Sequence, residues 1–564
     1  MDINSEKLTK LLQEIERQFR RKIVDYRDSQ SIQYIDPDDN LSKLSIHNNH
    51  IIFGRRGCGK TTLSLVAIQN NNDDIISVQD MQSVKDDASD KIVILVFLKV
   101  LSNLQIQFNN NEFTNLRNKY FKEYKGISGV WNFLLRKRNK ELEEKYYKNL
   151  AFLELLNNTI QIFQNLKDAP ESITYIYELQ NINSDESKIK ISRNLTVKGN
   201  SNLQNKINGI YGPLFAKINA TLSIEGNYTK SEDRKFMQSS EVKVTTKNEK
   251  KYCRSELVEN VKEVLSFIFN EYKRLRNESV ILYLDDFYLI DMERQPYIVQ
   301  YLHDIYKDCS NGSFCFNICS LPSRLRINKA GSIDLSFKDD FSTIKLDNDL
   351  SELISSKEYL LKILVTLSPE LGITKQDIES LFVTDEVLLY SVISTGGVPR
   401  DFLLSFSELV RTARSDNKDR IAKEHVYLVV KNLREDKDNN IEDDSDISPE
   451  VIRNAIKILN EQVIDGLKTS VILYPKKIAE QHDALLKNLV NLRYLHVIKE
   501  TTSSETRKRE EFTAYLVDMS FYAVNRRMKS DFDFRRFWER DADSRLNQLR
   551  LSKIWSFPDS LFKQ

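Results

Sequence analysis

An α/β fold built around a phosphate-binding loop is predicted by three observations. The apolar run Ile51-Ile52-Phe53 leads into Gly54-Arg55-Arg56-Gly57-Cys58-Gly59-Lys60-Thr61, and Thr62 to Ile68 then reads as a helix. This is G-x-x-x-x-G-K-[ST] in the strand–loop–helix context that the motif needs. Further on, Val280-Ile281-Leu282-Tyr283-Leu284 is a strand ending in the paired acids Asp285-Asp286. After residue 350 the pattern turns helical, with a mixed module at the C-terminal end.

Each loop residue has a physical role in such a motif. Glycines let backbone N–H groups close on phosphate oxygens, and the helix N-terminus adds partial positive charge. The nucleotide-contacting stretch is therefore Gly54, Arg55, Arg56, Gly57, Cys58, Gly59, Lys60, Thr61 and Thr62. Lys60 is expected to reach the β- and γ-phosphates of ATP, and the Thr61 hydroxyl to ligate Mg²⁺. Arg55 and Arg56 occupy variable positions and read as solvated. Asp285 is the second Mg²⁺ residue, direct or through water. Asp286 stands where a carboxylate orients the attacking water. An Asp here is one methylene shorter than a Glu, which predicts slow hydrolysis. Ser313 to Cys319 forms another strand, and Ser320 at its tip is the candidate contact to the γ-phosphate or the water, with Asn317 as the alternative. Arg324 follows as a candidate arginine finger, balanced against a plain surface ion pair.

Bulk composition limits the other readings. At 564 residues the chain is too long for one core and suggests two to four domains. Lys plus Arg number 83 against 82 Asp plus Glu, so any nucleic-acid contact needs a local patch. The five cysteines form no C-x-x-C pair, and the six histidines do not cluster with them. A zinc site or disulfide framework is not expected, and a reducing compartment fits. The charged N-terminus lacks a signal-peptide core, and Ile92 to Leu98 is short for a bilayer span. A cytoplasmic protein with no membrane contact is expected.

In chain order, Leu8, Leu11, Leu12, Ile15, Phe19 and Ile23 mark an amphipathic helix over 4–27, expected to pack on the edge of the ATPase domain. Residues 1–108 carry this helix and the loop unit, with Ile75 to Val78 as a second strand and 91–107 as a buried helix. Residues 109–253 form an insertion. Its first half is helical around Trp131, Phe133, Leu134 and Leu135 and again from Leu150 to Phe163. Its second half alternates at Ile218, Ala220, Leu222, Ile224, Val242 and Val244, as a hairpin or mobile loop. Residues 254–348 complete the ATPase core, with helices at 255–275 and 294–308 and a last strand at 342–346. Residues 349–434 form a helical lid, in which Gly396-Gly397-Val398-Pro399-Arg400 opens a helix and Arg400 can sense phosphate. The acidic run within 435–448 reads as a linker. Residues 449–564 follow winged-helix order: helix, short strand, helix, then strands at Tyr494–Ile498 and Phe512–Val517 around a basic wing. Arg507, Lys508 and Arg509 at the wing tip are candidate DNA contacts, with Arg526, Arg527 and Lys529 beyond them. The aromatic end, with Phe532, Phe534, Phe537, Trp538 and Trp555, is expected to pack back.

With these residues in hand, the chain resembles AAA+ ATPases of the initiator type, the origin-recognition-complex-like clade, and most of all prokaryotic members, some of which sit beside antiphage defence genes. The matching residues are Gly54 to Thr61, Leu284-Asp285-Asp286, Gln295-Pro296-Tyr297, Ser320 to Arg324, Gly396 to Arg400 and Leu492-Arg493-Tyr494-Leu495-His496. The match covers about 1–108 and 255–530 and leaves the insertion outside. The resemblance implies a P-loop NTPase that binds ATP and Mg²⁺, forms homo-oligomers, and engages double-stranded DNA or a separate effector protein. The family shows Asp-Glu where this chain has Asp285-Asp286. The chain also resembles signal-transduction NTPases with a Gly-x-Pro motif, matched by Gly397-Val398-Pro399, which implies a slow switch without DNA binding.

Overall fold

The computed structural model describes residues 1–19, 34–71, 74–109, 112–124, 140–169, 171–180, 245–347, 350–439, 441–444, 447–523, 537–538 and 542–562. Its strands are β1 (His50–Phe53), β2 (Ile75–Asp80), β3 (Ser172–Gln180), β4 (Thr245–Cys253), β5 (Val280–Asp285), β6 (Phe314–Ser320), β7 (Ser342–Lys345), β8 (Val471–Pro475), β9 (Leu495–Thr502), β10 (Phe512–Val517) and β11 (Lys553–Ile554).

The main sheet is parallel and runs β2-β5-β6-β1-β7. Its central strands are continuous apolar runs because both faces are covered. β6 is buried along its whole length, and β5 is buried from Val280 to Leu284. One face carries the Ser89–Asn109, Lys140–Asp168, Lys262–Arg276 and Gln295–Asp308 helices, whose Phe97, Phe163, Phe269 and Tyr301 join Leu282 and Phe314 in one core. The other face carries the Lys60–Asn70 helix, with Leu63 on Ile52 and Ile344, and Ile68 on Ile281. All five strands point the same way, so β1, β5 and β6 deliver Gly54, Asp285 and Ser320 to one edge. β6 lies between β1 and β5, which sets Ser320 between the loop and the acids.

The Ser89–Asn109 helix extends the buried helix read at 91–107 by two residues at each end, and by length and composition it could cross a bilayer. Its Ile92, Phe97, Val100, Leu101 and Leu104 are instead packed in the sheet core. The helical half of the insertion does not stand apart. Phe152, Leu155 and Phe163 of the Lys140–Asp168 helix share that core. Trp131, Phe133, Leu134, Leu135, Ile218, Ala220, Leu222, Ile224, Val242 and Val244 lie outside the described residues. Two strands not read from the sequence, β3 and β4, form an antiparallel pair from Ser172↔Cys253 to Gln180↔Thr245. Arg254 pins its base, donating to both oxygens of Asp90 at 2.8 and 3.0 Å and to the Ala169 carbonyl at 3.1 Å.

Two expectations are corrected. The N-terminal helix, Glu6–Phe19, packs on the lid and not on the edge of the sheet. Leu8, Leu11 and Ile15 join the core of Leu361, Phe406 and Leu409, while Arg414 donates to the Ile3 carbonyl at 2.8 Å. Its spacing fixed an apolar face but not what that face meets; Ile23 lies outside the described residues. The acidic run is not a plain linker either. The Lys423–Asn439 helix runs through its first half, and Ile441–Asp444 is helical, with Ile441 buried. Its charges have partners elsewhere: Asp438 accepts from Arg434 at 2.8 Å and from the Tyr494 hydroxyl at 2.6 Å, and Lys437 pairs with Asp518 at 3.1 Å.

The lid helices, chiefly Leu353–Thr366, Asp385–Ser394, Pro399–Ser415 and Lys423–Asn439, share one core with the C-terminal module. That module starts with the Pro449–Ile458 helix, which continues as a π-helix over Leu459–Leu467. β8 then leads through the Lys476–Gln481 and Asp483–Asn491 helices to β9 and β10. Its sheet runs β11-β8-β10-β9, with β10 antiparallel to both neighbours; β11 was not anticipated from the sequence. The aromatic end does pack back. Trp538 is buried and donates from Nε1 to the Leu350 carbonyl at 2.6 Å, and Trp555 stands edge-on to Tyr474. Phe532 and Phe534 lie outside the described residues.

Candidate nucleotide site

The loop geometry follows from its glycines. Gly57 (φ 92°) and Gly59 (φ 96°) adopt left-handed backbone that side chains rarely accept. Gly57 has a second constraint: a Cβ there would lie 2.8 Å from Arg400 Cβ. Gly59 ends the loop, and its carbonyl accepts Leu63 N–H at 2.8 Å to start the helix. Lys60 is buried and donates from Nζ to the carbonyls of Gly54 at 2.7 Å and Arg55 at 3.3 Å. The Tyr288 ring lies 5.6 Å from the same ammonium. Thr61 is exposed and donates to Asp285 Oδ2 at 2.8 Å, while Thr62 is half-buried on the next position of the helix.

Asp285 and Asp286 differ in setting. Burial, then the neighbouring Asp286, push the Asp285 carboxyl above the usual range, against the Thr61 hydrogen bond. Asp286 takes a left-handed backbone, φ 52° and ψ 37°, which Asp tolerates better than most residues. This turn directs the chain away from the sheet directly after β5. Ser320 is fully buried; its carbonyl accepts Gly54 N–H at 3.3 Å and its hydroxyl donates to the Arg324 carbonyl at 3.4 Å. The serine thus ties the loop start to the β6 exit. Asn317 is eliminated as the alternative. It is buried at the far end of the β1 register, paired with His50 Nδ1 at 3.0 Å. Arg324 is half-buried in the β6 exit loop, where its carbonyl also accepts Gln295 Nε2 at 3.1 Å.

The reading of Arg55 as solvated is corrected; Arg56 is exposed as expected. Arg55 is 9% exposed, donates from N and Nε to Asp347 Oδ1 at 2.8 and 3.1 Å, and from Nη2 to the Gly396 carbonyl at 3.0 Å. Burial acts to raise the Asp347 carboxyl, but Arg55 and the hydrogen bonds it receives hold it below the usual range. Cys58 donates to the same oxygen at 3.1 Å, and burial pushes its thiol up to about 12, so it is no nucleophile.

Arg400 opens the Pro399–Ser415 helix, with Pro at its first turn, and its N–H meets the Gly57 carbonyl at 3.3 Å. The lid therefore touches the phosphate loop directly. Arg400→Ala is expected to keep the fold and to uncouple lid from loop: ATP should alter protease protection in the wild type but not in the variant. An equal ATP response in both would count against a sensing role.

Sequence reasoning missed the C-terminal residues behind this lid. His496 and Asp518 are both buried and pair Nε2 to Oδ2 at 2.9 Å. Burial lowers the His496 pKa. For Asp518 burial acts upward, but Lys437 and His496 outweigh it and hold the carboxyl well below the usual range. Arg493 pairs with Asp401, and burial followed by nearby Arg55 lowers its pKa to about 10. Only the Leu492 to His496 stretch had been noted, for its resemblance and not for contacts.

Arg507, Lys508 and Arg509 are exposed between β9 and β10, far along the chain from the phosphate loop, and Arg507 reaches Glu510 at 3.5 Å. Arg526, Arg527 and Lys529 lie outside the described residues. Among the described residues no group of three or more His, Cys, Asp or Glu could hold a metal. The metal candidates remain the hard oxygens of Thr61 and Asp285.

A parallel sheet with a glycine loop leaving β1 into a helix, and paired acids leaving β5 beside it, defines a P-loop NTPase fold. No family model matches the sequence, and no curated protein matches it. Twenty chains of solved structure match. One is the Aeropyrum pernix ORC2 protein (ADPNP–ADP complexes), with TM-score 0.35 and 10% identity over 89% of this chain and 96% of that one. Another is the Walker-type ATPase PABY2304 of Pyrococcus abyssi, with TM-score 0.34 and 10% identity over 88% and 98%. The Aeropyrum pernix ORC1 protein in complex with DNA follows, with TM-score 0.24 and 15% identity over 48% and 69%. The fold assignment rests on the sheet order and the loop themselves.

Proposed function

We propose that the chain is an AAA+ ATPase of the origin-recognition-like, initiator type, whose nucleotide state sets the position of its lid and C-terminal module. The observation that carries this reading is the convergence of Lys60, the Thr61–Asp285 pair and Asp286 at one edge of the sheet. A hydroxyl and a carboxylate oxygen, joined to phosphate oxygens, suit Mg²⁺, which seldom takes an all-protein cage. Thr61 and Asp285 would hold the ion, and when bound it neutralises charge developing on the phosphates. Lys60 exchanges its bonds to the Gly54 and Arg55 carbonyls for β- and γ-phosphate oxygens. Asp286 accepts a proton from the water, and the Ser320 hydroxyl exchanges its long bond to the Arg324 carbonyl for the γ-phosphate or the water. Arg324 is a candidate finger for a neighbouring subunit's nucleotide in a homo-oligomer.

The C-terminal module is read as a winged helix whose Arg507, Lys508 and Arg509 meet duplex DNA phosphates. The cellular setting follows the resemblance alone: the cytoplasm, and antiphage defence through a separate effector chain. A second reading, a slow signal-transduction switch without DNA binding, is favoured by Asp286 in place of Glu and by the buried docking of the C-terminal module on the lid.

Mass in solution with ATP, ADP and neither, repeated with duplex DNA, tests the proposal. Nucleotide-dependent assembly is expected, and a constant mass with no saturable nucleotide binding would refute it. Replacing Arg507, Lys508 and Arg509 with Ala is expected to leave DNA-free ATPase activity unchanged, to weaken duplex binding and to flatten its salt dependence by about two to three released counterions. Equal duplex binding by the variant, or none by the wild type at low salt, would leave the switch reading.

A further inference from the structure

Five ionisable side chains from four segments converge behind the phosphate loop. Asp401 lies in the first turn of the Pro399–Ser415 helix and pairs with Arg493. Lys437 donates to the Arg493 carbonyl at 3.2 Å and pairs with Asp518 at 3.1 Å, and Asp518 pairs with His496. His496 in turn faces Gly396. A Cβ on that glycine would lie 2.6 Å from His496 Cε1 and 3.4 Å from Arg55 Nη1. One glycine is thus sandwiched between the C-terminal module and the phosphate loop, and its φ of +60° also favours glycine. The same module reaches the β6 exit, where Asn491 Nδ2 donates to Ser323 Oγ.

Hydrophobic contact alone would let two modules slide. Buried charges tolerate only the geometry that pairs them, because a stranded partner is costly in the interior. Here two buried atoms, Arg493 Nε and His496 Nδ1, have no hydrogen-bond partner among the described residues. Such orphaned groups cost stability and call for an explanation.

We propose that the C-terminal module is a positioning part of the nucleotide site: Arg493 and His496 hold Asp401 and Gly396, and so keep Arg400 on Gly57 and Arg55 on Asp347. The proposal rests on the nucleotide-site reading above. Arg55 links the two, since its carbonyl accepts from Lys60 while its guanidinium holds Gly396. When Lys60 turns to phosphate, the peptide that anchors the lid loses that bond. Nucleotide arrival therefore reaches His496 through a single residue.

Amide hydrogen exchange without nucleotide, together with Mg-ATP titration, tests this in the full chain. Arg493→Met is expected to speed exchange over residues 396–402 by roughly tenfold and to weaken Mg-ATP by about tenfold, with β8 and β10 still protected as the folding control. The double variant Asp401→Leu/Arg493→Met removes both charges and is expected to recover most of both effects. His496→Gln, which keeps a hydrogen-bonding group, is expected to fall between wild type and Arg493→Met. Wild-type exchange over 396–402 in Arg493→Met, or a double variant no better than the single, overturns the proposal. If the wild type binds no Mg-ATP, the nucleotide reading fails, while the exchange results still decide whether the module positions the lid.

Discussion

Lys60→Ala abolishes ATP binding and hydrolysis together while leaving the fold in place. The ammonium sits buried at the mouth of the loop, held by the Gly54 and Arg55 carbonyls, with no acid paired to it among the described residues. A charge-assisted hydrogen bond is worth about 1.5–3 kcal/mol net, or roughly 10- to 150-fold in affinity. Lys60 would supply more than one such bond and neutralise phosphate charge in a partly desolvated site. Removing it is expected to push binding beyond millimolar ATP. Lys60→Met serves as the control for loop collapse, since it keeps most of the length and loses the charge and its hydrogen bonds. Both variants should melt within a few degrees of wild type. Normal hydrolysis by either would remove the phosphate loop from the account.

Asp286→Asn is the second large effect, and it separates binding from chemistry. Asn also tolerates the left-handed backbone at this position, so the turn after β5 should survive. The amide cannot take the proton, and general-base catalysis typically contributes about 10²- to 10⁴-fold. Turnover should fall by at least about a hundredfold at unchanged ATP affinity. Asp285→Asn should behave differently, raising the Mg²⁺ concentration needed before it slows the chemical step, because Asp285 and not Asp286 is bonded to Thr61. If Asp286→Asn turns over at the wild-type rate, the base lies elsewhere, with exposed Glu293 or a neighbouring subunit as the next suspect.

The sheet and its loop were legible because their signals are local. An apolar run, a glycine loop and a helix are adjacent in the chain, and β5 announces itself by ending in two acids. The first helix and the three longer strands of the C-terminal module were also legible from periodicity, whereas β11 and the Ala542–Arg550 helix were not, and the one helix read over 477–492 is split in two. What escaped was pairing between distant segments. Arg55 looked like a solvated variable position, yet its partners are Asp347 and Gly396, which no spacing rule connects to it. The 435–448 run looked like a linker because its acids were counted without Arg434 and Tyr494. The N-terminal helix showed an apolar stripe, and a stripe says that something must cover it but not that the lid does so. His496 stood out only as the end of the Leu492 to His496 resemblance, and nothing in its spacing pointed to Asp518 or Gly396, since a lone histidine in a strand is ordinarily a packed core residue.

The most direct measurement of the central claim is an equilibrium titration of the purified chain with ATP, with Mg²⁺ and again with excess chelator. The account predicts one saturable ATP site per chain, weakened when Mg²⁺ is withdrawn and absent in Lys60→Ala. A wild-type chain that shows no saturable ATP binding at millimolar nucleotide, with or without Mg²⁺, would contradict it.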